Sequence, residues 1–126
     1  MQAYIAAVLT VGMMDAAWLT YRANYHNALF KSVQNANLTV RPIPAVLIYL
    51  LIPFAVLRWA IQDQPNLAKA IQNGALVGFV LYAFYDLTNY ATFDKWTFEM
   101  TIMDILWGTL VCATAAGIGF SFLRKE

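Results

Sequence analysis

The sequence predicts an all-α integral membrane protein, a bundle of four transmembrane helices. Hydrophobic residues make up 61% of the 126 positions, and charged residues make up only 12%. The few charges are also unevenly placed, because four long stretches carry one charge each or none. A soluble domain of this size needs more polar surface than that. The length suits one domain, residues 1–126.

The four apolar stretches are close to the ~20 residues that an α-helix needs to cross ~30 Å of hydrocarbon. We predict transmembrane helices at residues 2–21, 43–61, 69–92 and 98–122. The first is not expected to be a cleaved signal peptide, because it lacks a basic leading segment and a small-residue cleavage site. Pro53 lies inside the second helix and predicts a kink there. Pro65 marks the turn into the third helix.

The connection over residues 22–42 is long, polar and rich in Asn. Apolar residues recur in and beside it at helical spacing: Tyr21, Tyr25, Leu29, Val33 and Ala36. This pattern is typical of an amphipathic helix lying in the membrane interface. An ordinary solvated loop is the alternative, and the sequence leaves both open.

The membrane orientation is not set by the distribution of basic residues. We call the side that holds both termini and the second connection side A, and the opposite side is side B. Side A carries Arg58, Lys69, Arg124 and Lys125, and side B carries Arg22, Lys31, Arg41 and Lys95. Four against four gives no positive-inside bias, so cytoplasmic termini are only the default expectation. Trp59 and Trp96 lie at helix ends, where aromatic belts form.

Two similar stretches place an Asp in otherwise apolar helices. "MDAAWLT" in the first helix contains Asp15, "MDILWGT" in the fourth contains Asp104, and the third helix contains Asp86. At 1.5 Å per residue, each Asp lies ~10–14 Å from a charged residue that flanks its helix on side B. We therefore expect the three carboxyls at one level inside the bundle, and we call them the Asp layer.

Each Asp has polar and aromatic neighbours on its own helix. A charged Asp at the centre of a membrane helix costs ~2.5–3.5 kcal/mol on insertion scales. Three such residues therefore indicate that the carboxyls have a functional or structural role. The candidate site combines the layer with these neighbours: Asp15, Trp18, Tyr82, Tyr85, Asp86, Thr88, Asn89, Asp104 and Trp107. Small residues should let helices approach closely at Gly74, Gly78, Gly108 and Gly119.

The stretches "MDAAWLTYRANYH", "YDLTNYATFDKW" and "TIMDILWGT" together resemble a family of small bacterial membrane proteins, domain of unknown function 2177. The resemblance covers nearly the whole chain. It implies a four-helix protein of the bacterial inner membrane, in a membrane-lipid context, and it implies no activity.

Three functions are compatible with the Asp layer. The first is an intramembrane site for a small ligand, a cation or a proton. The second is a structural role, as an accessory subunit of a larger membrane complex or within a homo-oligomer. The third is a lipid-modifying enzyme with one carboxyl as acid and another as base. Arg22 or Lys95 could also reach inward and pair with an Asp.

Composition and motifs exclude several other classes. The net charge is +1 and no stretch is densely basic, so nucleic acid is not an expected partner. The chain has one His and one Cys, which argues against a His-rich metal site and an internal disulfide. We assign no metal ligands and no cofactor. Known hydrolase motifs are missing, but this does not decide whether the protein is an enzyme.

Overall fold

A computed structural model describes residues 1–123 and confirms the all-helical membrane fold. Five α-helices are present in this part of the chain: α1 (Gln2–Tyr21), α2 (Ala23–Gln34), α3 (Pro42–Val56), α4 (Leu67–Thr92) and α5 (Phe98–Leu123). Four helical segments are long and apolar enough to span a membrane, and their ends lie within two residues of the predicted ones. The side-A charges Arg124 and Lys125 lie outside the described residues.

The second span changes its hydrogen bonding near side A. α3 contains Pro53 and continues as a π-helical turn, Leu57–Ile61, so the whole span runs Pro42–Ile61. A proline removes one backbone donor, and helices often adjust near such a defect. α4 then begins at Asn66, whose side-chain oxygen accepts a 2.8 Å hydrogen bond from the Lys69 backbone N–H.

The long connection forms the amphipathic helix α2, which packs against protein. Leu29 of α2 lies in a small buried cluster with Trp96 and Met100 beside the start of α5. Trp96 is only 3% exposed, so its expected place in an aromatic belt was wrong. α2 packs on the bundle because its apolar face is buried against the apolar surface of Trp96 and Met100. Tyr21, expected on the apolar face, is exposed.

Glycines set the contact between α4 and α5. A Cβ added at Gly74 would lie 2.5 Å from the Ala116 Cβ, and one added at Gly78 would lie 2.8 Å from the Cys112 Cβ. One added at Gly108 would lie 2.0 Å from the Tyr82 ring. Only glycine permits such approach of two helices.

These contacts define an antiparallel register. Each step of four residues along α4 is matched by a step back of four residues along α5: Gly74–Ala116, Gly78–Cys112 and Tyr82–Gly108. One helical turn further toward side B, the same register places Asp86 opposite Asp104.

Small and apolar residues fill the half of the bundle nearer side A. Gly119 packs against Ile61, and an added Cβ would lie 2.5 Å from the Ile61 Cδ1 and 3.2 Å from the Ala3 carbonyl oxygen. The buried core continues along α1, α4 and α5 through Ala3, Ala7, Val11, Ala70, Val111, Cys112, Ala115, Ala116 and Phe120. The interior is therefore close-packed toward side A and polar toward side B.

Candidate functional site

Asp15 is tied to two other helices by hydrogen bonds. Its carboxylate accepts a 2.7 Å bond from the Tyr49 hydroxyl of α3 and a 2.8 Å bond from the Trp107 indole N–H of α5. Tyr49 is not among the site residues predicted from the sequence. The same depth arithmetic points to it, because Tyr49 is eight residues from Arg41 and so ~12 Å from side B.

Asp86 has no such partners. The residue is completely buried, and neither of its carboxyl oxygens has a hydrogen-bond partner within residues 1–123. The carboxyl of Asp104 is close enough to interact with it directly, as the helix register requires, although the two do not form a well-aligned hydrogen bond. A buried carboxyl in this state is unusual, because buried polar groups are normally paired.

Asp104 interacts with charged groups from several elements. It is partly buried. Besides Asp86, three charged or titratable groups lie within electrostatic range of it: His26 on α2, Asp15 on α1, and Arg22 at the end of α1. The Tyr49 and Tyr85 hydroxyls are also within this range. Asp104 thus connects the Asp layer to the groups on side B.

Arg22 turns inward over aromatic rings. Its guanidinium lies 5.4 Å from the centre of the Trp18 ring and 4.5 Å from that of Tyr25. Trp18 is in turn stacked on Trp107, with 4.5 Å between ring centres and 10° between planes. The Glu99 carboxylate is 3.6 Å from Nη2 of Arg22, yet Nε and Nη2 have no hydrogen-bond partner in the described part of the chain.

The His26 side chain of α2 points into the protein. It is 6% exposed, and its Nε2 is buried without a hydrogen-bond partner among the described residues. Burial lowers the pKa of His26 below 6.5, the nearby Arg22 charge lowers it further, and the carboxylates of Asp104 and Asp15 oppose the shift. No motif in the sequence marks this histidine as a site residue.

The other candidate residues are distributed unevenly around the layer. Tyr82 is packed against Gly108, and Tyr85 is half-exposed with its ring nearly perpendicular to that of Trp96. Asn89 is partly buried one turn beyond Tyr85. Thr88 is exposed, because it lies about 200° around α4 from the buried Asp86.

The described residues offer no ready metal site. No three side chains of His, Cys, Asp or Glu within residues 1–123 are grouped so that they could hold a metal ion. The three carboxyls have different surroundings instead, since Asp15 is hydrogen-bonded and Asp86 faces Asp104. A groove of about 460 Å³ lies elsewhere, between α4 and α5, and includes Leu67, Gly117 and Ser121.

One family matches the chain over residues 1–121, and its description is "Predicted membrane protein (DUF2177)". Comparisons with curated proteins and with solved structures find no match.

Proposed function

We propose that this chain, which belongs to the DUF2177 family of predicted membrane proteins, binds a proton inside the membrane. The proton is shared between the carboxyls of Asp86 and Asp104. The observation that supports this most directly is the complete burial of Asp86, with two unpartnered oxygens and a second carboxyl as its charged neighbour.

Electrostatics favours a proton at this position. Two like charges ~4 Å apart repel by about 4 kcal/mol even at an effective dielectric of 20, and burial adds a desolvation cost. With one proton, the Asp86 hydroxyl can donate to the Asp104 carboxylate, so that the pair carries one negative charge instead of two. Arg22 and His26 lie near Asp104 rather than Asp86, so the remaining charge is best placed on Asp104.

A proton also fits the packing better than a larger ligand. At Gly74 and Gly78, next to the pair toward side A, α4 and α5 are in such close contact that a water molecule does not fit between them. Exchange of the proton is therefore expected with side B. A site reached from one side suits proton sensing or proton donation, and it does not suit conduction across the membrane.

The other candidate functions involve different groups of the site or the same carboxyl pair. A structural role suits Asp15, because its two hydrogen bonds connect α1 with α3 and α5. An enzyme that modifies lipids would use the same Asp86–Asp104 pair as a proton donor, and a small polar ligand would meet the unpartnered nitrogens of Trp18 and Arg22.

We further propose that the protein resides in the bacterial inner membrane with its termini in the cytoplasm. Side B, with α2 and the Asp layer, would then face away from the cytoplasm. The lipid bilayer is the immediate partner, and a homo-oligomer or a larger membrane complex is compatible with the exposed apolar helix faces.

Infrared spectroscopy of the protein in lipid nanodiscs tests the proton site. At neutral pH we expect a carbonyl band of a protonated carboxyl that shifts in D2O. The band should vanish in Asp86→Asn, and it should persist at a shifted frequency in Asp104→Asn, where Asp86 keeps its proton but loses the carboxylate acceptor. Asp63→Asn, in the exposed loop on side A, is the matched control and should leave the band unchanged. A wild-type protein without the band, or a band unchanged in Asp86→Asn, would show that the proposal is wrong.

A further inference from the structure

We infer that His26 transfers the proton between water on side B and the Asp86–Asp104 pair. This inference rests on the proposed function, since it concerns how the same site exchanges its proton. The helix α2 covers the site, and its buried His26 side chain is turned inward.

Contacts with α5 hold α2 over the side-B end of the bundle. The Tyr25 hydroxyl and the Thr97 hydroxyl are hydrogen-bonded to each other, and Thr97 also caps α5 by accepting a 3.0 Å bond from the Met100 backbone N–H. Leu29 adds apolar contact with Trp96 and Met100. Because Asp86 is completely buried, its proton must pass through a neighbouring group, and Asp104 is the neighbour closest to side B.

His26 is the group in this cover that can carry a proton in both directions near neutral pH. The Arg22 guanidinium does not deprotonate in proteins, and the indole N–H groups of Trp18 and Trp96 do not titrate. The Tyr25 hydroxyl is already occupied by its bond with Thr97. The imidazole has an unpartnered buried Nε2, and the Asp104 carboxylate is the first of the neighbouring charges that act on it.

The charges around the ring suit a transient imidazolium. Asp104 on α5 and Asp15 on α1 favour the protonated ring, whereas burial and Arg22 at the α1–α2 junction oppose it. The ring is therefore neutral for most of the time at pH 7, and it can take up a proton without holding it.

The transfer conserves protons and charge. Neutral imidazole accepts one proton from a hydronium ion on side B, which becomes water, and the ring becomes imidazolium. The imidazolium releases a proton from Nε2, over an intervening water molecule, to the Asp104 carboxylate of an ionised pair. The products are neutral imidazole and a carboxyl–carboxylate pair that holds one proton, and release follows the reverse order.

A pH jump followed by time-resolved infrared spectroscopy tests the transfer on the full chain in nanodiscs. The rate at which the Asp86 carbonyl band responds should fall about 10- to 100-fold in His26→Gln, since general acid–base groups contribute factors of this size or more. The amplitude of the band at equilibrium should change little, and added imidazole should restore part of the rate. Asn27→Gln, exposed on the same helix, is the control and should respond like wild type.

The outcomes separate the two proposals. A normal band with an unchanged rate in His26→Gln would refute the transfer by His26 and leave the proton site standing, whereas a missing band in wild type would refute the proton site itself. A second measurement does not depend on folding of that variant: imidazole NMR of His26 should show a lower pKa in Asp104→Asn than in wild type, because the Asp104 charge raises it. An equal pKa would mean that the ring does not face Asp104, and the transfer would be wrong.

Discussion

Gly78→Ala is expected to separate α4 from α5. The added Cβ would lie 2.2 Å from the Gly108 carbonyl oxygen, whereas ordinary contacts between carbon and carbonyl oxygen are about 3.3–3.6 Å. The obstacle is backbone, so no side chain can rotate away, and the helices must move apart by about 1 Å. Overpacking lowers the free energy of unfolding by up to about 3 kcal/mol, and the better helix propensity of Ala raises it by about 1 kcal/mol. We therefore expect a loss of about 2 kcal/mol in the free energy of unfolding.

The assay is thermal unfolding of the protein in a mild detergent, followed by circular dichroism. Gly78→Ala should lower the Tm by roughly 5 °C or more for a chain of this size. Gly12→Ala is the matched control, because no atom lies within 4 Å of its added Cβ, and it should be neutral or slightly stabilising. The infrared band of Asp86 should also shift in Gly78→Ala, because Asp104 is held opposite Asp86 by this register. If Gly78→Ala unfolds at the same temperature as Gly12→Ala, the close helix contact is not present and the register from which we place Asp86 opposite Asp104 is wrong.

Three further predictions concern the polar end of the bundle. Asp15→Leu should cost about 2 kcal/mol or more in detergent, because the Tyr49 hydroxyl and the Trp107 indole lose their acceptor; a stability equal to wild type would mean that these bonds contribute nothing. His26→Gln should reduce the pH dependence of unfolding, because a folded-state pKa below 6.5 gives a stabilisation that is present above pH 6.5 and lost as the pH falls through the folded value. The free energy of unfolding of wild type minus that of His26→Gln should therefore fall from pH 7.5 to pH 5. A value that stays constant or rises toward acid would contradict this sign. Asp86→Asn should unfold within about 1 kcal/mol of wild type at neutral pH, since Asn resembles the protonated acid, and a much larger loss would argue for an ionised Asp86 with a bound cation.

The membrane spans could be predicted because hydrocarbon imposes a simple requirement on length and polarity. Charges are tolerated poorly over ~20 residues, so the gaps between charges define the spans. The helix α2 was less certain, because its pattern fits both a helix and a solvated loop. Its docking was not predictable, since the partner surface of Trp96 and Met100 arises only when α5 and the third connection are folded.

A common level of the three Asp residues is predicted by the rise per residue, whereas their surroundings cannot be predicted that way. Depth along a helix depends on sequence position alone, whereas the partners of a side chain depend on how each helix is rotated and paired. Asp15 and Asp104 lie in heptapeptides that share four of seven residues and yet differ, because Asp15 is hydrogen-bonded to Tyr49 and Trp107 while Asp104 faces Asp86. The repeated motif therefore predicted a polar layer, but it could not predict that Asp15 and Asp104 have different neighbours.

The tight glycine contact and the buried carboxyl pair are consequences of the same geometry. Glycines let the α4 and α5 backbones approach, so residues one turn further along the register are also forced together. At Tyr82 and Gly108 that proximity is accommodated by a ring lying over a glycine. At Asp86 and Asp104 neither residue is small, so a completely buried carboxyl is brought against a partly buried one. Such a pair is stable only with a compensating charge, and a single proton is the one that requires no additional room.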